Sequence, residues 1–300
     1  MSRNGMTLSL IILGCLLFLS QPNGSHAKSN EVLNAEKMVA AHVKSLGNPK
    51  TLAKIQSRTF VGTSEVKMIQ GANWTLKGNS MFVSEGSKLG IVLQYLDVNY
   101  PGEYFAYDGA DVTVKHISPG RKSPVADFLY RFDKIMKQGL LGGALSTSWP
   151  LLSEERTAAA QMKCRKVQLE GRELYVLDYR PKDGVGNMKI QIYFDPATFR
   201  HVRTEYRVQD RDDATVDHNY LEAAMTHIGD IGRAREDSFY KLVEKFDDYR
   251  NVGGMILPHR YILEYSQEGG AGSFIAHWTM NAQVWAFNPV LDRKLFQAEK

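Results

Sequence analysis

Hydrophobic and polar residues alternate with a period of two along most of this chain. Between positions 201 and 208, for example, Val202, Tyr206 and Val208 alternate with charged side chains. Such alternation is typical of antiparallel strands that cover a core on one side only. The sequence predicts strands, separated by turns with Gly, Pro or Asp, at residues 57–69, 73–84, 88–97, 103–107, 111–117, 188–194, 201–208, 255–265 and 274–284.

Helical spacing replaces this alternation in two segments. Residues 31–46 carry apolar side chains three and four positions apart, with Asn30 as the predicted N-cap and Gly47 after the last turn. Residues 124–138 have the same spacing and predict an amphipathic helix. We therefore expect a mainly β (α+β) fold, in which a large curved antiparallel sheet has helices on its concave face.

Residues 139–152 fit neither pattern, because they are apolar and also rich in glycine. An exposed loop would not carry Leu140, Leu141, Leu145 and Trp149 unless these side chains were buried or bound something apolar. The segment is predicted to be either a plug that fills the core of the sheet or a lid over a ligand cavity.

The first 27 residues have the order of a secretory signal peptide. Arg3 precedes an apolar run at positions 8–19, which is shorter than the roughly 20 residues that a membrane-spanning helix needs. We expect cleavage after Ala27 and a mature chain, residues 28–300, that is periplasmic or secreted. The alternative is a lipid anchor on Cys15, since residues 12–15 loosely resemble a lipobox.

The mature chain is predicted to form one domain with a polar insertion near residues 210–235. Loss of Arg3 lowers the formal net charge of +4 by one, which is too little to indicate a nucleic-acid partner. Cys164 becomes the only cysteine, so the mature chain forms no internal disulfide.

No catalytic, metal or cofactor motif is present in the sequence. The chain has no nucleophile elbow, no zinc-binding His-Glu-x-x-His, no Walker A loop and no dinucleotide fingerprint. The densest acidic group, formed by Asp212, Asp213, Asp217 and His218, is interpreted as a solvated loop. We accordingly expect neither an enzyme nor a cofactor.

Several segments resemble the LolA/LolB-type superfamily of periplasmic lipoprotein carriers. The matching parts are the leading helix 31–46, the closing strands at 246–250 and 252–258, and the terminal Phe296. The resemblance implies an unclosed antiparallel barrel whose mouth is covered by helices and whose hydrophobic cavity holds acyl chains. The chain is longer than the carrier, and its insertion at 210–235 has no counterpart there, so it resembles an exported relative and not the carrier proper.

These observations predict an envelope protein that binds a lipid, an acyl chain or a lipidated protein in a half-barrel cavity; a membrane-associated partner is also a candidate. The predicted cavity residues lie on apolar strand faces and are Trp74, Leu76, Phe82, Tyr206, Tyr261, Leu263, Trp278 and Met280. The predicted lid residues are Leu140, Leu141, Leu145 and Trp149.

Two other functions fit the same sequence. One is an exported hydrolase with a site assembled from distant residues, for which His201, Glu205 and His259 are the first candidates. The other is a scaffold or sensor subunit that holds a protein partner with the same fold.

Overall fold

The computed structural model describes residues 34–71, 73–210, 238–269 and 273–298, and within these ranges twelve strands form one antiparallel sheet. The strands are β1 (Ser57–Gln70), β2 (Trp74–Glu85), β3 (Lys88–Tyr95), β4 (Gly102–Tyr107), β5 (Val112–Val114), β6 (Gln161–Leu169), β7 (Arg172–Arg180), β8 (Lys189–Phe194), β9 (His201–Asp210), β10 (Ser238–Val252), β11 (Met255–Glu268) and β12 (Phe274–Phe287). Their order is β5-β4-β3-β2-β1-β12-β11-β10-β9-β8-β7-β6. The sheet is curved and unclosed, which confirms the predicted fold class.

The strands that come first and last in the sequence, β1 and β12, lie side by side in the sheet. β1 pairs with β2 on one edge and with β12 on the other, so that Val66 lies opposite both Leu76 and Trp278. This pairing joins the β1–β5 half of the sheet to the β6–β12 half. As a result, residues about 200 positions apart in the sequence lie in one row across the sheet.

The leading helix, α1, spans Ala35–Ser45, and a short helix, α2, spans Pro49–Lys54. The N-cap of α1 is Asn34, whose side chain accepts a hydrogen bond from the Lys37 amide, as N-cap residues do. The predicted cap, Asn30, lies outside the described residues.

The predicted helix at 124–138 is two helices, α3 (Pro124–Arg131) and α4 (Lys134–Lys137). The break is at Phe132, whose φ of −104° and ψ of 47° are not helical. The change in direction lets Phe128 and Ile135 both be fully buried against the sheet. Helix α5 (Glu154–Ala159) follows before β6.

The predicted strand at 111–117 is shorter in the structure, where β5 ends at Val114. Beyond it, the Ile117 amide donates to the Arg121 carbonyl and the Arg121 amide to the Ser118 carbonyl, which closes a turn. The backbone groups of this turn are thus satisfied locally and not by a neighbouring strand.

Residues 139–152, hereafter the plug, fill the concave face of the sheet. They contain two turns of 3-10 helix, Gly143–Leu145 and Pro150–Leu152. Leu140, Leu141, Leu145 and Trp149 are all at most 1% exposed. The described structure is therefore the plug alternative, in which these side chains are part of the core, and opening of the segment stays a prediction.

Two glycines allow the plug to approach the sheet this closely. Gly142 and Gly143 have positive φ angles of 84° and 48°, which glycine adopts at little cost. A Cβ atom at Gly142 would lie 2.7 Å from the ring of Phe82, and one at Gly143 would lie 2.6 Å from the ring of His201.

Some predictions fall on residues that the structure does not describe. These are the signal peptide at 1–27 with its cleavage site and Cys15, the insertion from residue 211 to 235, and the acidic group at Asp212, Asp213, Asp217 and His218. Within the described ranges, no helix has the length and hydropathy needed to span a bilayer.

Candidate functional site

Buried polar side chains of the sheet hold the plug in place. Arg58 on β1 is 2% exposed and donates a hydrogen bond of 2.7 Å from Nη1 to the Ala144 carbonyl. Its Nε atom has no hydrogen-bond partner among the described residues, and burial lowers the pKa of the guanidinium to about 10. Burial of a cation is costly unless it is hydrogen-bonded, so the bond to the Ala144 carbonyl offsets part of that cost.

Glu244 on β10 makes the second attachment. Its Oε1 accepts from the Gly142 amide at 2.6 Å and from the Tyr261 hydroxyl at 2.6 Å, and its Oε2 accepts from the Tyr206 hydroxyl at 2.7 Å. Burial raises the pKa of this carboxyl group to about 7, although the three donors oppose the shift. Both oxygens are therefore occupied by protein donors.

Trp149 anchors the far end of the plug between two histidines. Its Nε1 donates to His42 Nε2 at 3.2 Å, and the other ring nitrogen of His42 lies 3.1 Å from the Phe199 carbonyl. His42 therefore donates from Nδ1 and accepts at Nε2, as a neutral imidazole does. Burial agrees with this neutral state, since it lowers the pKa of His42 to about 4.

The three hydrolase candidates do not form one site. His201 stacks on Trp149, with ring centroids 5.0 Å apart, and its Nε2 lies 2.7 Å from the Thr204 hydroxyl. Glu205 instead pairs with Arg203 and Arg207, and His259 accepts from Trp285 Nε1.

A bulge explains why His201 and Glu205 separate. β8 and β9 change register between Tyr193 and Phe194, so that Tyr193 faces Arg203 whereas Phe194 faces His201. The extra residue turns His201 toward the core side of the sheet, where Thr204 also lies. The predicted shared face of His201 and Glu205 is therefore wrong.

A cavity of about 630 Å³ lies where the β1–β2 turn, the β3–β4 connection and the start of α3 meet, and we call it the Glu103 cavity. Three predicted ligand-binding residues line it: Trp74, Leu76 and Trp278. Its remaining lining residues are Met68, Gly71, Asp97, Asn99, Tyr100, Glu103, Ile117, Arg121, Ser123, Pro124 and Phe274. No residue of the plug contributes to it.

The other predicted cavity residues lie in the closed core. Phe82, Tyr206, Tyr261, Leu263 and Met280 are all at most 1% exposed, and none lines the Glu103 cavity. Tyr206 and Tyr261 share the carboxyl group of Glu244 with the plug. These five residues thus lie in the closed core and not in the wall of the Glu103 cavity.

A chain of hydrogen bonds forms the deep end of the Glu103 cavity. Trp278 Nε1 donates to the Tyr100 hydroxyl at 2.7 Å, and this hydroxyl donates to Glu103 Oε1 at 2.6 Å. Glu103 is 1% exposed, and its Oε2 has no hydrogen-bond partner among the described residues. Burial raises the pKa of Glu103 to about 7, against the lowering effects of Tyr100 and Ser123.

Sequence reasoning missed Arg58, Tyr100, Glu103 and Glu244. The sequence does contain a signal for Arg58, Glu103 and Glu244. Each lies two positions from an apolar residue on its strand, and therefore on the face that the apolar residues bury. Arg58 precedes Phe60, Glu103 precedes Phe105, and Glu244 lies between Leu242 and Phe246. A charged residue in such a position must be paired, neutral or functional.

Comparison with known proteins finds similarity at the level of solved structures. No family model and no curated protein matches the chain. The structure is similar to the crystal structure of LolA superfamily protein NE2245 from Nitrosomonas europaea, with 12% identity, a TM-score of 0.42, and coverage of 88% of this chain and 97% of that one. The family that the sequence resembles is thus also the family of a structural neighbour.

A second similarity is to the Pseudomonas aeruginosa MucA/MucB complex structure, with 10% identity and a TM-score of 0.22, over 82% of this chain and 94% of that one. These scores are too low to transfer a ligand or a residue's role. The function is therefore argued from the geometry of this chain.

Proposed function

We propose that this protein works outside the cytoplasm and binds a lipid, an acyl chain or a lipidated protein in the Glu103 cavity. The observation that carries the proposal is a preformed cavity of about 630 Å³ with Trp74, Leu76 and Trp278 in its wall. Small-molecule sites are typically concave, of roughly 300–1,000 Å³, and mostly apolar with a few polar groups. Residues 1–27 support export.

The energetics of such binding need no catalytic group. Trp74 and Leu76 are half-buried, so they present apolar surface that a ligand can remove from water. Each methylene group that an acyl chain buries contributes about 0.8 kcal/mol. A short stretch of chain in the cavity therefore supplies measurable affinity.

A ligand that reached the other predicted cavity residues would require the plug to leave the concave face. Its departure would uncover Phe82, Tyr206, Tyr261, Leu263 and Met280, which the sequence predicted as ligand-binding residues. Arg58 and Glu244 hold the plug by hydrogen bonds to its backbone, which such a ligand would have to replace.

Titration of the delipidated mature chain, residues 28–300, with a fluorescent acyl probe tests the proposal. The double variant Trp74→Ala with Leu76→Ser should weaken probe binding by about tenfold or more, because it removes two apolar walls. Its thermal midpoint should change little, because neither side chain is fully buried.

The matched control is Val61→Ser with Val284→Ser, two exposed positions on β1 and β12 outside the cavity. This control should bind the probe like the wild type. A wild-type protein that binds no acyl probe, or a cavity variant that binds as well as the control, would overturn the proposal.

A further inference from the structure

The deep end of the Glu103 cavity shows which polar group its ligand carries. An indole N–H can only donate, so the Tyr100 oxygen accepts from Trp278 and the Tyr100 proton goes to Glu103 Oε1. The chain of donors therefore ends at the carboxyl group. The bond from Tyr100 stabilises the ionised carboxylate and so opposes the effect of burial on the pKa of Glu103.

Within normal hydrogen-bond geometry the described part of the protein serves only one of the two oxygens, since Ser123 lowers the pKa of Glu103 without making such a bond. Oε2 lies buried without a hydrogen-bond partner among the described residues, in a side chain that lines the cavity. A buried carboxylate oxygen without a donor is strongly unfavourable, so a ligand that supplies an N–H donor there gains a charge-assisted hydrogen bond.

The walls beside this oxygen suit a cation. Trp74, Tyr100 and Trp278 all line the cavity, and the rings of Trp74 and Tyr100 lie 5.4 Å apart. Aromatic rings attract organic cations through their quadrupole, and the attraction increases when the cation leaves water. A carboxylate and aromatic rings together favour an ammonium group over a carboxylate or a phosphate.

We propose that the ligand of the Glu103 cavity is an amine-bearing amphiphile, whose ammonium group donates to Glu103 Oε2 while its alkyl part packs against Leu76 and Met68. This inference rests on the proposed function, because it assigns the polar end of the same ligand. It commits the cavity to an ammonium with at least one N–H, since a quaternary one has no proton to donate.

Binding should depend on pH in a defined direction. Tyr100 and Ser123 lower the pKa of Glu103, and Asp97 and Arg121 line the same cavity. Tyr95 also interacts with Glu103, and the charges of Glu103 and Glu65 both raise the pKa of Tyr95. Because the pKa of Glu103 is raised to about 7, the carboxyl group must lose a proton before it pairs with an ammonium. Amine affinity should therefore rise with pH up to about 7 and then level off.

The experiment is displacement of the acyl probe by octylamine, 1-octanol and octanoate, which share one chain length and differ in the polar end. Octylamine stays protonated throughout, because alkyl ammonium groups titrate at about 10. At pH 8, octylamine should displace the probe at a concentration about tenfold lower than octanol does. At pH 6, this preference should fall by close to tenfold, since a pKa of about 7 leaves roughly one carboxyl group in ten ionised.

The variant Glu103→Gln should bring the amine-to-octanol ratio to about one and remove its pH dependence. The exposed Glu173→Gln is the matched control and should keep both. As an independent measure, calorimetry of the wild type at pH 6 in buffers of different ionisation enthalpy should show that octylamine binding releases a proton.

The outcomes separate this inference from the function on which it rests. Equal displacement by all three compounds, or a preference for octylamine that survives in Glu103→Gln, would refute the ammonium site and leave an apolar binding cavity. Absence of acyl-probe binding in the wild type would refute the binding function itself.

Discussion

Two glutamates of this protein are buried to the same degree, and their surroundings differ. Glu244, under the plug, has both oxygens occupied by the Gly142 amide and by two tyrosine hydroxyls. Glu103, at the end of the cavity, has one oxygen bonded to Tyr100 and the other without a partner among the described residues. Burial raises the pKa of both groups to about 7.

The difference separates a structural group from a binding group. The protein completes the hydrogen bonds of Glu244 itself, and in doing so it fixes the backbone of the plug. At Glu103 the bonding is incomplete in a side chain that lines a cavity, where a ligand donor can complete it. Incomplete bonding beside open space is thus the better indication of a binding role than burial or a shifted pKa alone.

The largest expected effect comes from the plug. Leu141→Ser together with Leu145→Ser should lower the free energy of unfolding by several kcal/mol, because truncation of a buried leucine costs about 2–5 kcal/mol. Denaturant unfolding measures this loss. The control Leu96→Ser with Val290→Ser changes two fully exposed side chains and should leave stability within about 0.5 kcal/mol of wild type.

The same double variant decides between the two interpretations of the segment. A nearly unchanged stability with weaker binding of the acyl probe would mean that the segment is a lid whose packed state contributes little to the fold. That result would contradict the assignment of the plug to the core.

The second test replaces each glutamate by methionine, which has a similar shape and no hydrogen-bonding oxygen. At pH 6, Glu244→Met should lose about 3 kcal/mol, because it leaves the Gly142 amide and two tyrosine hydroxyls without acceptors. Glu103→Met leaves only the Tyr100 hydroxyl, beside a cavity that water can fill, and should lose less than about 1 kcal/mol.

Chemical unfolding of both variants and the wild type at one pH gives the comparison. Equal losses at the two sites would show that Glu103 holds the fold as firmly as Glu244 does. The division between a structural and a binding glutamate would then be wrong.

Alternation predicted nine of the twelve described strands and left out β6, β7 and β10. Alternation in β11 and β12 indicates which face meets the core, since Leu263 and Trp278 are buried as the pattern predicts. The apolar residues from Leu140 to Trp149 predicted that the plug is either buried or ligand-binding. The sequence could not decide between the two, because an apolar side chain covered by a core and one covered by a ligand have the same pattern.

Other features depend on contacts that a sequence does not display. The bulge that turns His201 away from Glu205 arises from the pairing of β9 with β8, and the break at Phe132 comes with the burial of α3 and α4 against the sheet. The cavity needs residues from β1, β2, β12 and the start of α3 in one place. The sequence did predict the apolar lining residues Trp74, Leu76 and Trp278. The charges at Arg58, Glu103 and Glu244, each in phase with apolar residues of its strand, were a further signal that the prediction did not use.

The last predicted effect is a difference in pH dependence. The folded-state pKa of Glu103, about 7, lies above the value of about 4.3 expected in the unfolded chain, so between these values the folded protein holds a proton that the unfolded one releases. The contribution of Glu103 to stability is therefore fully present below the unfolded value and is lost as pH rises toward 7. His42, whose pKa is lowered to about 4, acts in the opposite direction, but equally in wild type and variant.

Subtraction of the wild-type curve from that of Glu103→Gln isolates this contribution. The stability of Glu103→Gln relative to wild type should rise with pH by up to about 1.4 kcal/mol per unit between about pH 5 and 6.5, and should level off above about pH 7. Urea unfolding at half-unit pH intervals measures it. With saturating octylamine present, the wild-type curve should lose part of this slope, because an ammonium at Oε2 keeps the folded carboxyl group ionised at lower pH. Parallel curves for the two proteins would mean that Glu103 titrates as an exposed carboxyl group does, which would remove the physical basis of the contrast with Glu244.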